Sequence, residues 1–222
     1  MLDIFVKGGP TMYALLACSI VSVAVILERI WFLWRQRQPA DELFEEVREA
    51  LSEGKVLEAM QLARQSDTPV ASLLAVAIEH HDEGPEAVRR SLEQEGKEQA
   101  AELERGLPIL DAIVTVAPLL GLLGTVLGII RAFNVLGALQ GVDDPGALSV
   151  GIAEALITTA AGLTIAIPTL IAHRYLSSVV DSIVTQMENK AEEILDLLSE
   201  TETLGAVSPA EAAAAVESKV GV

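Results

Sequence analysis

The sequence predicts an all-α membrane protein with three transmembrane helices and long helical extensions on the cytoplasmic side. Two observations predict this class: 51% of the 222 residues are hydrophobic, and yet the chain has a net charge of -17. The charge is segregated, because residues 35–106 sum to -8 and residues 177–222 to -7, whereas residues 1–34 and 107–176 sum to 0 and -2. Nearly neutral apolar segments, suited to a bilayer, therefore alternate with acidic segments that belong in water.

Composition also excludes several classes of function. The surplus of 32 acidic over 15 basic residues argues against nucleic-acid binding, which needs clustered Lys and Arg to neutralise phosphates. The single cysteine, Cys18, excludes an internal disulfide or a cysteine-based zinc site, and three histidines leave little for another metal centre. No nucleophile, base and orienting group converge by spacing, and no phosphate-binding glycine loop occurs. We therefore expect neither an enzyme nor a cofactor or metal site.

Residues 11–34 form the first predicted span. The chain carries no charge from Thr11 to Leu27, and after Glu28 and Arg29 the apolar run resumes as far as Trp34. A helix of this length is ~36 Å long, enough for a hydrocarbon core of ~30 Å. The alternative is a cleavable signal peptide, but the preceding residues are hardly basic and no small-residue cleavage site follows the run. We therefore expect an uncleaved anchor.

Residues 107–139 form the second predicted span. Between Asp111 and Arg131 lie 19 residues without an ionisable group. On a straight helix these two charges are ~30 Å apart, so we expect them to mark the two membrane interfaces.

Residues 148–175 form the third predicted span, which is free of charge from residue 155 to residue 172 and has Glu154 near its start. The link between the second and third spans, residues 140–147, contains two Gly, two Asp and one Pro, which is typical of a turn. The two spans are therefore predicted to form an antiparallel hairpin.

The Lys and Arg residues beside the spans predict the orientation. Residues 35–106 hold nine of them, residues 1–10 hold one, and the turn 140–147 holds none. The N-terminal segment and the turn are thus expected outside, and the middle and C-terminal segments in the cytoplasm. Within the latter, residues 176–200 extend the third span as an amphipathic helix, and residues 201–222 are predicted to be a flexible acidic tail.

The cytoplasmic segment 35–106 is predicted to be helical. Apolar residues at spacings of three and four predict helices at 41–51 and 56–65, and a further helix from Pro85 continues into the second span with Gly96 as the one strong breaker. Paired short helices are also typical of a tetratricopeptide-type array, but no repeated signature is present. We therefore favour a helical stalk.

The second and third spans each have one face of small residues and an opposite face of bulky apolar residues, at 100° per residue. The small face of the second span also carries Thr125, and that of the third carries Glu154. The other members are Pro118, Gly121, Gly124 and Gly128 in the second span, and Gly151, Ala155, Thr158, Thr159, Gly162 and Ala166 in the third.

Two interpretations of these faces stay open. In the first, small residues such as Gly124 and Gly128 allow close helix packing, and the threonines bond to their own backbone. In the second, the faces line a channel. Glu154 favours the second, because an ionisable group about two turns inside a span is costly and marks an ion pathway by default, although a capped carboxylate at the interface is an alternative. A chain with one such carboxylate must share its pathway with further subunits, for example in a homo-oligomeric ring around another protein's helix.

The segments APLLGLLGTVLGIIRAF (117–133) and GIAEALITTAAGLTIAIPTLI (151–171) closely resemble the two signature helices of the ExbB/TolQ/MotA family of proton-channel subunits. ILERIWFLW (26–34) resembles the end of that family's first helix. The resemblance is weak in the cytoplasmic segment and stops at the acidic tail. It implies a homopentamer in the bacterial inner membrane, surrounded by membrane lipids and holding an ExbD/TolR-like single-span subunit whose aspartate carries the proton. The work would pass to a TonB- or TolA-like envelope protein.

The resemblance also implies the site residues. Thr125, Glu154 and Thr159, with the neighbouring Thr158, would form the proton pathway opposite the partner, and the small residues named above would line the pore or pack the helices. Three spans, with 72 residues between the first two, argue against a flagellar stator. No residue separates an ExbB-like from a TolQ-like role, or protons from sodium ions as the carried species. A non-conducting scaffold, which needs neither Glu154 nor an aspartate-bearing partner, is the alternative from another class.

Overall fold

The computed structural model describes residues 9–36, 40–138 and 145–206. These residues form seven α-helices and no strand, which confirms the all-α prediction for this part of the chain. The helices are α1 (Thr11–Gln36), α2 (Ala40–Ser52), α3 (Val56–Arg64), α4 (Pro69–Glu79), α5 (Pro85–Glu104), α6 (Leu107–Ala138) and α7 (Pro145–Ala206), with a 3-10 turn at His81–Glu83 between α4 and α5.

Three of these helices, α1, α6 and α7, are long and apolar enough to cross a membrane. Their bulky apolar side chains opposite the small faces, such as Leu119, Leu122, Leu156 and Ile167, are exposed on the surface of the chain. A water-soluble protein would bury such residues, so these surfaces suit lipid or other subunits. The three predicted spans are confirmed to this extent.

The bounds of α7 differ from the prediction at both ends. The helix begins at Pro145, three residues before the predicted start of the span, because the fixed φ of proline suits the first turn of a helix. It then continues without interruption to Ala206, six residues into the predicted tail. The rest of that tail (207–222), residues 140–144 of the predicted turn and residues 1–8 lie outside the described residues.

Gly106, not Gly96, separates α5 from α6. Gly96 lies inside α5, whereas Gly106 has φ +86°, a left-handed conformation that ends α5 and favours glycine. Its carbonyl oxygen then accepts hydrogen bonds from the backbone N–H groups of Ile109 (3.1 Å) and Leu110 (3.3 Å) and so begins α6. Pro108 fits the same first turn, because the N–H that it lacks would have no partner within the helix.

The chain divides into two compact units. The first unit combines the described part of Met1–Phe32 with Glu104–Val179, and so holds most of α1, all of α6 and the first half of α7. Its core is formed by Met12 and Leu15 of α1, Ile113 and Ala117 of α6, and Ala166 of α7. The three apolar helices therefore pack against one another.

The second unit contains Leu33–Leu103 and the chain from Val180 onward. Helices α2, α3 and α4 pack against one another, with Phe44 of α2 and Leu74 of α4 fully buried. Within this unit Lys190 connects α7 to α2, because its ammonium lies 4.4 Å from the ring centroid of Phe44 and forms an ion pair with Asp41 (3.1 Å), in addition to one with Glu193 of α7 (3.0 Å). Burial lowers the pKa of Lys190, but the hydrogen bonds to Glu193 and Asp41 outweigh it, so the pKa is raised above its ordinary value of 10.5.

Candidate functional site

The small faces of α6 and α7 contact each other directly in an antiparallel arrangement. We call this contact the small-residue seam. A Cβ built on Gly121 would lie 3.0 Å from the carbonyl oxygen of Thr158, and one on Gly128 would lie 3.0 Å from that of Gly151. A Cβ on Gly162 would lie 2.6 Å from the carbonyl oxygen of Ala117. The two backbones are thus as close as small-residue helix contacts allow.

The seam brings together most of the residues singled out in the sequence. The glycines and alanines among them are buried within the chain, whereas Pro118 is half-buried. Close packing therefore describes their geometry within one chain, while a role in lining a channel between copies stays a prediction. The buried members are Gly121, Gly124, Gly128, Gly151, Ala155, Gly162 and Ala166.

Thr125 and Thr159 place a pair of hydroxyl groups on the seam. The two hydroxyls are hydrogen-bonded to each other across the two helices. Thr125 Oγ1 also lies 3.1 Å from the carbonyl oxygen of Ala155, and Thr159 Oγ1 lies 3.2 Å from that of Gly121. Both threonines are half-buried, so the pair is accessible from one side.

This arrangement allows two hydrogen-bonding patterns. Each hydroxyl has one proton and two lone pairs. In the first pattern Thr125 donates to Thr159, and Thr159 donates to the Gly121 carbonyl. In the second, Thr159 donates to Thr125, and Thr125 donates to the Ala155 carbonyl. In both patterns the two protons are used within the site, so the pair offers lone pairs as acceptors to an approaching carboxyl group. It becomes a donor when one hydroxyl turns its proton from the backbone carbonyl toward that group, and it carries no charge of its own in either case.

Thr158 lies in a different environment from Thr159. It is fully buried, and its hydroxyl donates to the backbone carbonyl of Ala155 at 2.9 Å. A Cβ on Gly124 would lie 2.6 Å from the Cβ of Thr158 and 2.8 Å from Oγ1 of Thr11, so α1 also reaches this contact. The structure thus places Thr158 in the packing of all three apolar helices, one residue away from the accessible hydroxyl pair.

Glu154 forms an ion pair with Arg131 of α6. The side chain of Glu154 is 17% exposed and that of Arg131 is 45% exposed. The backbone of Gly9, which precedes α1 and has φ +69°, lies against both: a Cβ there would collide with Glu154 Oε1 and lie 3.0 Å from Nη1 of Arg131. The carboxylate is therefore paired and partly covered within one chain.

The sequence prediction took Arg131 as a marker of the membrane interface and missed this pairing. The missing information was the register of the hairpin. If Thr125 faces Thr159 in an antiparallel pair, Arg131, six residues later, faces a residue about six positions before Thr159, which is close to Glu154. Within the described residues, no three His, Cys, Asp or Glu side chains come together as a metal site.

The apolar helices α6 and α7 hold a paired carboxylate and a pair of hydroxyl groups between them. A carboxylate within an apolar helix marks a candidate ion pathway in a membrane protein. Residues 65–189 match the family model described as the MotA/TolQ/ExbB proton channel family. The chain belongs to this family, which confirms the resemblance found in the sequence.

Curated relatives carry both ExbB and TolQ names. The chain is 38% identical over 181 residues to the biopolymer transport protein ExbB-like 1 of Synechocystis, an alignment that covers 80% of this chain and 71% of that protein. It is 30% identical over 189 residues to the biopolymer transport protein exbB1 of Vibrio cholerae, covering 82% and 81%. It is also 30% identical over 213 residues to the Tol-Pal system protein TolQ of Haemophilus influenzae, covering 89% and 92%.

Proposed function

We propose that this chain is the pore-forming inner-membrane subunit of an ExbB-ExbD-type motor, which couples the proton-motive force to TonB-dependent transport across the outer membrane. Five copies would surround an ExbD/TolR-like single-span subunit, and a TonB-like envelope protein would receive the work. Supporting this choice, the relative with 38% identity carries an ExbB-like name. The alternative, a TolQ-like subunit acting with a TolA-like protein in the Tol-Pal system, is supported by the TolQ relative, which the chain matches over 92% of its length.

The observation that carries the proposal is the hydroxyl pair of Thr125 and Thr159. The partner's aspartate would move past the seam, taking up its proton from water on one side of the membrane and releasing it to water on the other. In its protonated form the aspartate would donate a hydrogen bond to a lone pair of the two hydroxyls. As a carboxylate it would accept one from the hydroxyl that turns its proton away from the backbone carbonyl of Ala155 or Gly121. A carboxyl group that finds a partner in either state has a lower cost of crossing the membrane interior.

The proposed topology follows the basic residues. The N-terminal segment and the α6–α7 turn would be periplasmic, whereas α2 to α5 and the second half of α7 would be cytoplasmic. Nine Lys and Arg in residues 35–106, against none in 140–147, support this orientation in a bacterial inner membrane.

The proposal is tested by proton flux in vesicles that contain the chain with the single-span, aspartate-bearing subunit that co-purifies with it. We expect Thr125→Ala to abolish flux, because Thr159 loses the hydroxyl that completes the pair. Thr125→Ser is the matched control and should keep flux. Native mass spectrometry should show the same assembly for all three proteins.

Full flux in the Thr125→Ala protein would contradict the pathway, and a preparation without a single-span partner would favour the scaffold alternative. An experiment in cells distinguishes the ExbB-like from the TolQ-like role. Loss of an ExbB-like subunit should stop uptake through the outer membrane, whereas loss of a TolQ-like subunit should make the cells sensitive to detergent.

A further inference from the structure

The Arg131–Glu154 ion pair is a contact separate from the hydroxyl pair of Thr125 and Thr159. The guanidinium lies on the Glu154 carboxylate from the facing helix, and the backbone of Gly9 lies against both groups. Three separate elements, the segment before α1, α6 and α7, therefore converge on one carboxylate. Arginine keeps its charge at any physiological pH, so it is a permanent counter-ion.

The Glu154 carboxylate is mostly covered within the chain, and the described contacts of its oxygen atoms are the Arg131 guanidinium and the backbone of Gly9. Carboxylate oxygens bind cations in the selectivity sites of cation channels. Without Arg131, an uncompensated carboxylate in this setting would attract such a cation.

We propose that Arg131 is a specificity-determining residue, which occupies the Glu154 carboxylate as a fixed counter-ion and thereby keeps sodium and other metal cations off the proton pathway. This inference rests on the proposed function and deepens it, because it assigns the selectivity for protons to one ion pair. Arg131 acts through Glu154 and is a positioning residue, separate from the hydroxyl pair that meets the partner's carboxyl group.

The test compares the purified complex in NaCl and in equimolar choline chloride. The variants are Arg131→Gln, Arg131→Lys as the charge-conserving control, and the double variant Arg131→Gln/Glu154→Gln. Sodium bound to the exposed carboxylate should raise the melting temperature of Arg131→Gln by at least about 2 °C. The wild type, Arg131→Lys and the double variant should melt at the same temperature in both salts.

Proton flux gives a second readout. In Arg131→Gln, sodium at ten times its dissociation constant should lower flux about tenfold, because only about one site in eleven stays free. Equal melting temperatures of Arg131→Gln in the two salts, or a sodium response in the wild type, would overturn the proposal. The melting comparison needs no conduction, so it stands even if Thr125→Ala keeps full flux and the pathway itself is wrong.

Arg131→Gln could fail to fold, since it leaves a carboxylate unpaired in the membrane. The double variant then decides, because it removes that carboxylate as well. Its recovery as an intact complex would support the proposal. Failure of the double variant to assemble would show that Arg131 acts independently of Glu154, which would overturn it.

Discussion

Gly162 of α7 lies against the backbone of Ala117 of α6, so closely that a Cβ on Gly162 would be 2.6 Å from the Ala117 carbonyl oxygen. No side-chain rotation relieves such a contact, because both partners are backbone. The contact fixes how near the two helices can lie, and with it the distance between the hydroxyls of Thr125 and Thr159.

Gly162→Ala should therefore push α6 and α7 apart. We expect it to lower the free energy of unfolding by about 1–3 kcal/mol, as overpacking does in other tightly packed contacts. Thermal unfolding in detergent measures the effect. Gly96→Ala is the matched control, since a Cβ at Gly96, inside α5, meets nothing within 4 Å and should stabilise by about 0.5–1 kcal/mol. Equal changes in the free energy of unfolding for Gly162→Ala and Gly96→Ala would contradict the close approach of α6 and α7 at Gly162.

Gly9→Ala should disturb the Arg131–Glu154 pair. The new methyl group would occupy the position of Glu154 Oε1, and φ +69° disfavours any residue with a Cβ. We expect proton flux measured in NaCl to fall, because sodium can then reach the Glu154 carboxylate, while the second unit keeps its stability. Gly54→Ala has the same backbone penalty at φ +75° but meets no neighbouring atom within 4 Å, so its flux should match the wild type. A normal flux in Gly9→Ala would show that proton flux does not depend on the contact of Gly9 with the Arg131–Glu154 pair.

Lys190→Met should make the second unit less stable, by about 1 kcal/mol, because it removes two ion pairs and the contact with the Phe44 ring. The pKa of Lys190 is raised on folding, so the stability that it contributes is complete below its ordinary value of 10.5 and is lost as the pH rises through the folded value. The difference between wild type and variant should thus be constant up to about pH 10 and shrink above it.

Denaturant unfolding of the full chain at pH 8 to 12, followed by a probe in the second unit, measures this difference. Lys97→Met, an exposed change on α5, is the control and should leave stability within about 0.5 kcal/mol of the wild type. A difference that grows with pH would contradict the ion-pair interpretation.

The sequence could predict the helices, because apolar spacing and charge-free length are local properties of the chain. The first span, 11–34, is only two residues shorter than α1. The same reasoning failed at Gly106, where two features favour glycine: φ is +86° in the turn between α5 and α6, and a Cβ would lie only 3.2 Å from Val25 Cγ1 and 3.4 Å from Arg29 Nε. Glycine composition alone does not distinguish this position from Gly96.

The sequence predicted which residues of the candidate site share a helix face, but it did not predict the contacts between the two helices. Helical spacing places Thr125 on one small face and Thr159 on another, but the hydrogen bond between them requires the register of the hairpin. The same register pairs Glu154 with Arg131, although an isolated helix presents the carboxylate as unpaired. Contacts between helices depend on their relative shift along the axis, which residue spacing within each helix does not contain.

The small-residue seam does not by itself fix how α6 is shifted along the axis of α7. Glycine and alanine faces are much alike from one turn to the next, so steric fit alone distinguishes poorly between alignments that differ by one turn, about 5.4 Å. The polar contacts are not repeated in this way: a slip of one turn would separate Arg131 from Glu154 and Thr125 from Thr159 together. These two polar contacts thus fix the register of α6 against α7.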